Sequence, residues 1–117
     1  MPHISAKKLK AETVTALERE FLDLLSTPRN KADARGVAEE FFTDTERMMF
    51  GKRLATISML SDGYSFSEIR NAIGVTPQTV SRIFKMVTDG KYKRLAKVAR
   101  ELAHSGGFAQ ALGLDKK

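Results

Sequence analysis

Apolar positions recur along the chain at helical spacing, and nowhere do they alternate as a half-buried strand would. Between Phe66 and Ile73 the apolar positions are Ile69, Ala72 and Ile73. Val80, Ile83, Phe84 and Val87 then fall at i, i+3, i+4 and i+7, which makes one buried face. The stretch from Ser65 to Val87 therefore predicts two short helices joined by a tight turn. Local chemistry marks their ends. Ser65 and Glu68 form a capping box, with Tyr64 and Ile69 spaced as a hydrophobic staple. Gly74 stands where a left-handed residue closes a helix. Thr76 is the next N-cap, and Pro77 takes the first helical position, where its missing N–H costs nothing.

The same period predicts four more helices. Ser5 caps one running to about Ser26, with Leu9, Thr13, Ala16, Leu17, Phe21 and Leu24 as its stripe. Thr27-Pro28 ends it, because the residue before proline avoids helical angles. Asn30 caps a second to about Phe42, with Ala34, Val37, Ala38 and Phe41 on one face. Thr43 and Glu46 form another capping box, opening a helix to about Ser61 that stops at Asp62-Gly63. In that helix Phe50, Leu54, Ile57 and Leu60 face one way while Met48, Ala55 and Met59 occupy the other side, the pattern of a central helix. Asp89-Gly90 breaks the chain before a last helix from Lys91 to about His104. The predicted architecture is all-α, about six helices in one domain over 1–117: dimerisation helices 5–42, a central helix 44–62, a helix-turn-helix 65–88, a basic C-terminal helix 91–104 and a loose tail 105–117. The first two helices and the last carry more apolar surface than one small helix-turn-helix needs, which predicts a homodimer.

Composition narrows the function classes. With 117 residues the chain builds one modest core. It contains no cysteine, so disulfide and thiolate chemistry are excluded. No apolar run approaches the ~20 residues that span a bilayer, and the N-terminal stretch lacks the apolar core of a signal peptide; a cytoplasmic protein with no membrane partner is expected. His3 and His104 stand alone, no His/Cys/Asp/Glu spacing suggests a metal site, and no glycine-rich loop has phosphate-binding spacing. The chain is expected to be no enzyme and to carry no cofactor.

The net charge is +6, and residues 91–117 alone hold seven basic and two acidic residues. Basic charge directly after the helix 77–88 suits phosphate contact, as it also suits a solvated, solubilising face. Off the apolar face of that helix stand Gln78, Thr79, Ser81, Arg82 and Lys85. In a helix-turn-helix the second helix enters the major groove with its N-terminal residues on base edges; Gln matches adenine and Arg matches guanine. A plain helical hairpin in a core is the competing account. Arg53 is out of place, falling between Ile57 and Leu60 on the wheel. Either it lays its stem on the core and reaches water, or it serves an anion or an interface.

Between about residues 37 and 88 the chain reads FFTDTERMMFGKRLATISMLSDG followed by SEIRNAIGVTPQTVSRI, an arrangement that resembles the tryptophan-repressor family. In these, Thr-x-x-Glu-Arg precedes a glycine four residues on and an arginine two later. Glu-hydrophobic-basic-Asn-x-hydrophobic-Gly then leads to Thr-hydrophobic-Ser-Arg. The resemblance implies an all-helical, intertwined dimer that binds double-stranded DNA. It places DNA contacts at Arg70, Pro77, Gln78, Thr79 and Ser81; Arg82 joins them as a phosphate contact or an old effector-pocket residue, Thr76 as the N-cap, and Lys85 from the helical wheel. It also implies a candidate effector or vestigial pocket at Thr43, Arg53 and Arg82. Ile83 stands where the family has a glycine that makes room for an indole, and Met86 where it has a ligand-holding serine. The two are expected to fill the pocket, so L-tryptophan is not expected to bind. The predicted function is a transcriptional regulator, a repressor, that reads the major groove with 77–88. The alternatives are a dimeric protein-interaction module and a DNA-recognition adaptor of a recombination or packaging machine.

Overall fold

The computed structural model describes residues 8–104, in which there are six helices and no strand. They are α1 (Ala11–Ser26), α2 (Lys31–Phe41), α3 (Asp44–Ser61), α4 (Phe66–Ile73), α5 (Pro77–Thr88) and α6 (Lys93–His104). The described residues fall into two compact units that divide between Arg47 and Met48, inside α3.

The first unit is held by aromatic contacts and helix-end hydrogen bonds. Phe21 of α1 lies 5.9 Å, centroid to centroid, from Phe41 and 6.4 Å from Phe42, and the last two meet edge-on at 5.0 Å. Such tilted and edge-on pairs favour the ring quadrupoles. Asn30 caps α2 by accepting from the Asp33 amide at 2.9 Å. At the other end of α2, the Arg47 guanidinium donates to the carbonyls of Phe42 (2.8 Å) and Glu39 (3.2 Å) and pairs with Asp44. Carbonyls that a helix end leaves without partners are thereby satisfied. Thr43 and Glu46 form the reciprocal capping box that starts α3, with bonds of 2.9 and 3.1 Å.

One expectation for this unit needs correction. Residues 8–10 are not helical, so α1 opens at Ala11, and the proposed cap Ser5 lies outside the described residues. Lys8 and Lys10 would have sat at the positive end of the longer helix, whereas Glu12 in the first turn of the observed one complements the dipole. The apolar stripe of α1 lies open, as the surplus of apolar surface on the first two helices implies: α1 and α2 contain no buried residue, and Leu17 is 57% exposed.

In the second unit the centre is the far half of α3. Ala55, Thr56, Ile57, Ser58 and Met59 are all buried, five residues in succession, so this part of the helix is covered on every side. The near half is not: Met48 is 61% exposed and Phe50 is exposed too. Met59, Tyr64, Ile69, Val75 and Val80 form the core cluster, with Leu60, Ala72 and Ile73 against it. α3 ends in a tight reversal. Gly63 (φ 87°) donates its amide to Leu60 O and Tyr64 to Met59 O. That double closure brings the residue after the glycine back onto the helix, and Tyr64 and Met59 are core partners. Ser65 and Glu68 form both bonds of the capping box on α4. Gly74 (φ 68°) closes α4 through a 2.8 Å bond to Arg70 O, and Thr76 caps α5 through the Thr79 amide at 3.2 Å. α4 packs on α5.

On α5, Val80 and Ile83 are buried and Val87 is half-buried, but Phe84 is 43% exposed. It meets Phe66 of α4 edge-on at 5.3 Å instead of entering the core. α6 starts at Lys93 rather than Lys91, because Gly90 (φ 79°) and Lys91 close α5 through bonds to Val87 O and Met86 O. The tail 105–117 lies outside the described residues.

Ile69→Ala, which hollows the fully buried contact between α4 and the core, is expected to cost about 2–5 kcal/mol. Thr76→Ala, which removes only a cap, is expected to cost about 1 kcal/mol. Urea unfolding followed by circular dichroism measures both.

Candidate nucleic-acid interface

α5 divides its residues by chemistry. One side carries Val80 and Ile83 into the core. On the other, Pro77, Gln78, Ser81, Arg82 and Lys85 line a single shallow groove of about 480 Å³, and all five are exposed. The order along the groove is short and polar at the N-terminal end and cationic further along. Pro77 at the first helical position and the Thr76 cap fix where that end lies. An amide, a hydroxyl, a guanidinium and an ammonium in one open strip supply donors and acceptors for base edges and cations for phosphate.

Thr76 and Thr79 belong elsewhere. Their hydroxyls lie 3.0 Å apart in a hydrogen bond, and Thr76 Oγ1 also accepts the Thr79 amide. Both line a second cleft of about 490 Å³, together with Lys52, Arg53 and Arg82 and the apolar wall of Met49, Val75 and Ile83. Arg82 thus stands between the groove and the cleft and lines both. Arg70 is exposed on α4 and lines neither.

Arg53 and Arg82, far apart in sequence, do meet in this cleft. Thr43 lies in the first unit, where its side chain and amide make the capping box with Glu46. Ile83 is a wall of the cleft rather than its filling, and Met86 does not line it. The exposed side chain of Arg53 resolves its odd place on the helical wheel: the apolar sector of α3 opens there onto a cleft.

Three lining residues carry no mark that the sequence pattern singled out: Lys52, Thr56 and Tyr92. The first two were within reach, since Met49, Lys52, Arg53 and Thr56 recur at i, i+3, i+4 and i+7 on α3 and all line the cleft. Thr56 donates to Lys52 O at 2.7 Å, which turns its hydroxyl onto its own helix. No local signal marks Tyr92, which arrives from the turn before α6.

The electrostatics of the cleft are one-sided. Lys52, Arg53 and Arg82 line it, and no carboxylate among the described residues does. None of the three side chains makes a hydrogen bond or ion pair with the described residues. Like charges around one cleft repel, and only an anion or solvent relieves them. No group of described residues is arranged to hold a metal ion, and no described helix is long and apolar enough to cross a membrane.

Neither family models, curated proteins nor solved structures match the chain.

Because the fold draws nothing from these cations, Lys52→Met and Arg53→Met are expected to leave stability within about 0.5 kcal/mol or to raise it. A loss above about 1 kcal/mol in urea unfolding would mean that the fold itself holds them.

Proposed function

We propose that the chain is a homodimeric, sequence-specific DNA-binding regulator of transcription, a repressor that acts by occluding its site. In this reading α4 and α5 are a helix-turn-helix, and α5 enters the major groove of double-stranded DNA. One observation carries the proposal: Gln78, Ser81, Arg82 and Lys85 line one exposed strip of a helix whose other side is buried. Gln78 suits adenine, Arg82 suits guanine or phosphate, and Lys85 suits the backbone. Arg70, Thr76, Pro77 and Thr79 complete the proposed contact set.

Charge supports the reading. Residues 1–47 hold eight basic and nine acidic residues, whereas residues 48–117 hold twelve basic and five acidic. The unit that carries α5 therefore holds the whole positive excess, which is the electrostatic footprint of a polyanion partner.

The dimer is supported by apolar surface without cover. Val14, Leu17, Phe21, Leu22 and Leu25 of α1 are exposed, and a second copy of the chain would bury them. A two-fold pair places its reading helices on half-sites about one DNA turn apart. The same surface favours a second reading, a dimeric protein-interaction module. The cleft of Lys52, Arg53 and Arg82 is the place for an anionic effector. L-tryptophan is not proposed for it: Ile83 stands where the tryptophan-repressor family, which the sequence resembles, has a glycine that makes room for an indole.

Selection from a randomised duplex pool, at low and at physiological salt, tests the proposal; an enriched palindrome with steep salt dependence is expected. Gln78→Ala is expected to change the base preference at one position. Lys85→Ala should weaken all sequences alike and lower the salt slope by about 1. Equal loss on every sequence from both changes would count against the reading, and absence of duplex binding at low salt would favour the interaction module. Leu17→Glu with Leu25→Glu is expected to convert the dimer to a monomer in sedimentation velocity. Calorimetry with L-tryptophan is expected to show no saturable binding.

A further inference from the structure

The positive excess of the second unit is not confined to α5. Lys91, Lys93, Arg94 and Lys97 stand within seven residues at the turn and the start of α6, and all four are exposed. Lys93, Arg94 and Lys97 line one open groove of about 590 Å³, with Val98 and Glu101. None of the four cationic side chains makes a hydrogen bond or an ion pair with the described residues.

Helix stability does not account for them. The first turn of α6 holds no acidic residue. Lys93 and Arg94 occupy that turn, where the positive end of the macrodipole disfavours cations by about 0.3–1 kcal/mol each. Nor are they needed to dock the helix. The side of α6 away from them is the covered one: Ala99 is buried, and Tyr92 and Ala96 are half-buried.

Geometry ties the start of α6 to the end of α5. The bonds from Gly90 N–H to Val87 O (3.1 Å) and from Lys91 N–H to Met86 O (2.9 Å) fix how the chain leaves α5. Tyr92 then lines the same cleft as Thr79 and Arg82. The start of α6 is thus fixed to the end of α5, and the residue before it reaches the cleft that Arg82 lines.

We propose that the basic face of α6, formed by Lys93, Arg94 and Lys97, is a second, sequence-independent contact with the sugar-phosphate backbone of duplex DNA, flanking the segment read by α5. This inference rests on the DNA-binding reading above. A duplex fits the face better than an acidic protein does. Three cations lie within about 6 Å of helix rise, matching the dense charge of duplex DNA, about one phosphate per 1.7 Å of axis. Among the described residues that line the groove there is also no aromatic anchor of the kind that centres protein interfaces.

The test uses the full chain and a labelled mixed-sequence duplex of about two helical turns. Anisotropy titrations across a salt series compare the wild type with the triple variant K93Q/R94Q/K97Q. Glutamine matches lysine and arginine in helix propensity, and circular dichroism verifies the fold. The slope of log K against log salt is expected to fall by about 2–3, since each phosphate that the protein no longer neutralises removes about 0.9. The sequence enriched from a random pool is expected to stay the same. The charge-preserving variant K93R/R94K/K97R is expected to keep the wild-type slope. Should the triple variant misfold, Lys97→Gln alone is expected to lower the slope by about 1. A wild type that binds steeply beside a folded variant of unchanged slope overturns this inference and leaves the DNA-binding reading standing. A changed base preference in the variant also overturns it, since the contact would then be a reading one. A wild type that ignores the duplex at low salt but is retained by poly-glutamate overturns both and assigns the face to an acidic protein.

Discussion

Five consecutive buried residues in one helix, 55–59, cannot be covered from a single side, because a helical turn points them in every direction. The second unit has to wrap that segment, and its turns are built to do so. The reversal at Gly63 sends Tyr64 back onto Met59, the capping box at Ser65 starts α4 at once, and Gly74 with Thr76 turns the chain into α5 within three residues. Ile69, Val75 and Val80 then close on Met59 and Tyr64. The polar side of α5 faces outward as a consequence: once Val80 and Ile83 are committed to the core, Gln78, Ser81 and Lys85 have only solvent to face.

The division of charge follows the division of structure. In the first unit two arginines have structural partners. Arg35 pairs with Glu39, and Arg47 clamps the carbonyls at the end of α2 while holding Asp44. In the second, Glu68 caps α4, and Lys52, Arg53 and Arg82 around the cleft and Lys93, Arg94 and Lys97 of α6 make no ion pair among the described residues. Arginines that brace a helix end and arginines with no hydrogen bond or ion pair among the described residues are thus the same residue type in two different settings. An exposed, unpaired cation adds little to stability, so the fold of the second unit does not account for their number.

Arg82 is the hinge between the two possible roles of this surface. It lines the α5 groove and also the cleft with Lys52 and Arg53. An anion in the cleft would alter the field at the side chain that the groove presents. That coupling needs no movement of the backbone, only a choice of rotamer by one long side chain.

Element ends were legible in the sequence wherever the chemistry is local. The boxes at Thr43 and Ser65, the caps at Asn30 and Thr76, and the stops at Gly63, Gly74 and Gly90 each depend on residues within five positions of one another, so spacing alone specified them. Periodicity likewise placed Val80 and Ile83 in the core and the strip from Gln78 to Lys85 outside it. Other features depended on partners distant in sequence. Phe84 matches the apolar face of α5 yet remains exposed, because Phe66 of α4 offers it an edge-on ring. Lys91 reads as the start of a helix, but its amide closes the previous one. Arg53 looked misplaced until α3 and α5 were brought together around one cleft, and Tyr92 joined that cleft with no local mark at all. Short-range hydrogen bonding and apolar period belong to the sequence by itself; which faces meet, and which cations are left without partners, is decided only when helices distant along the chain compete for the same neighbours.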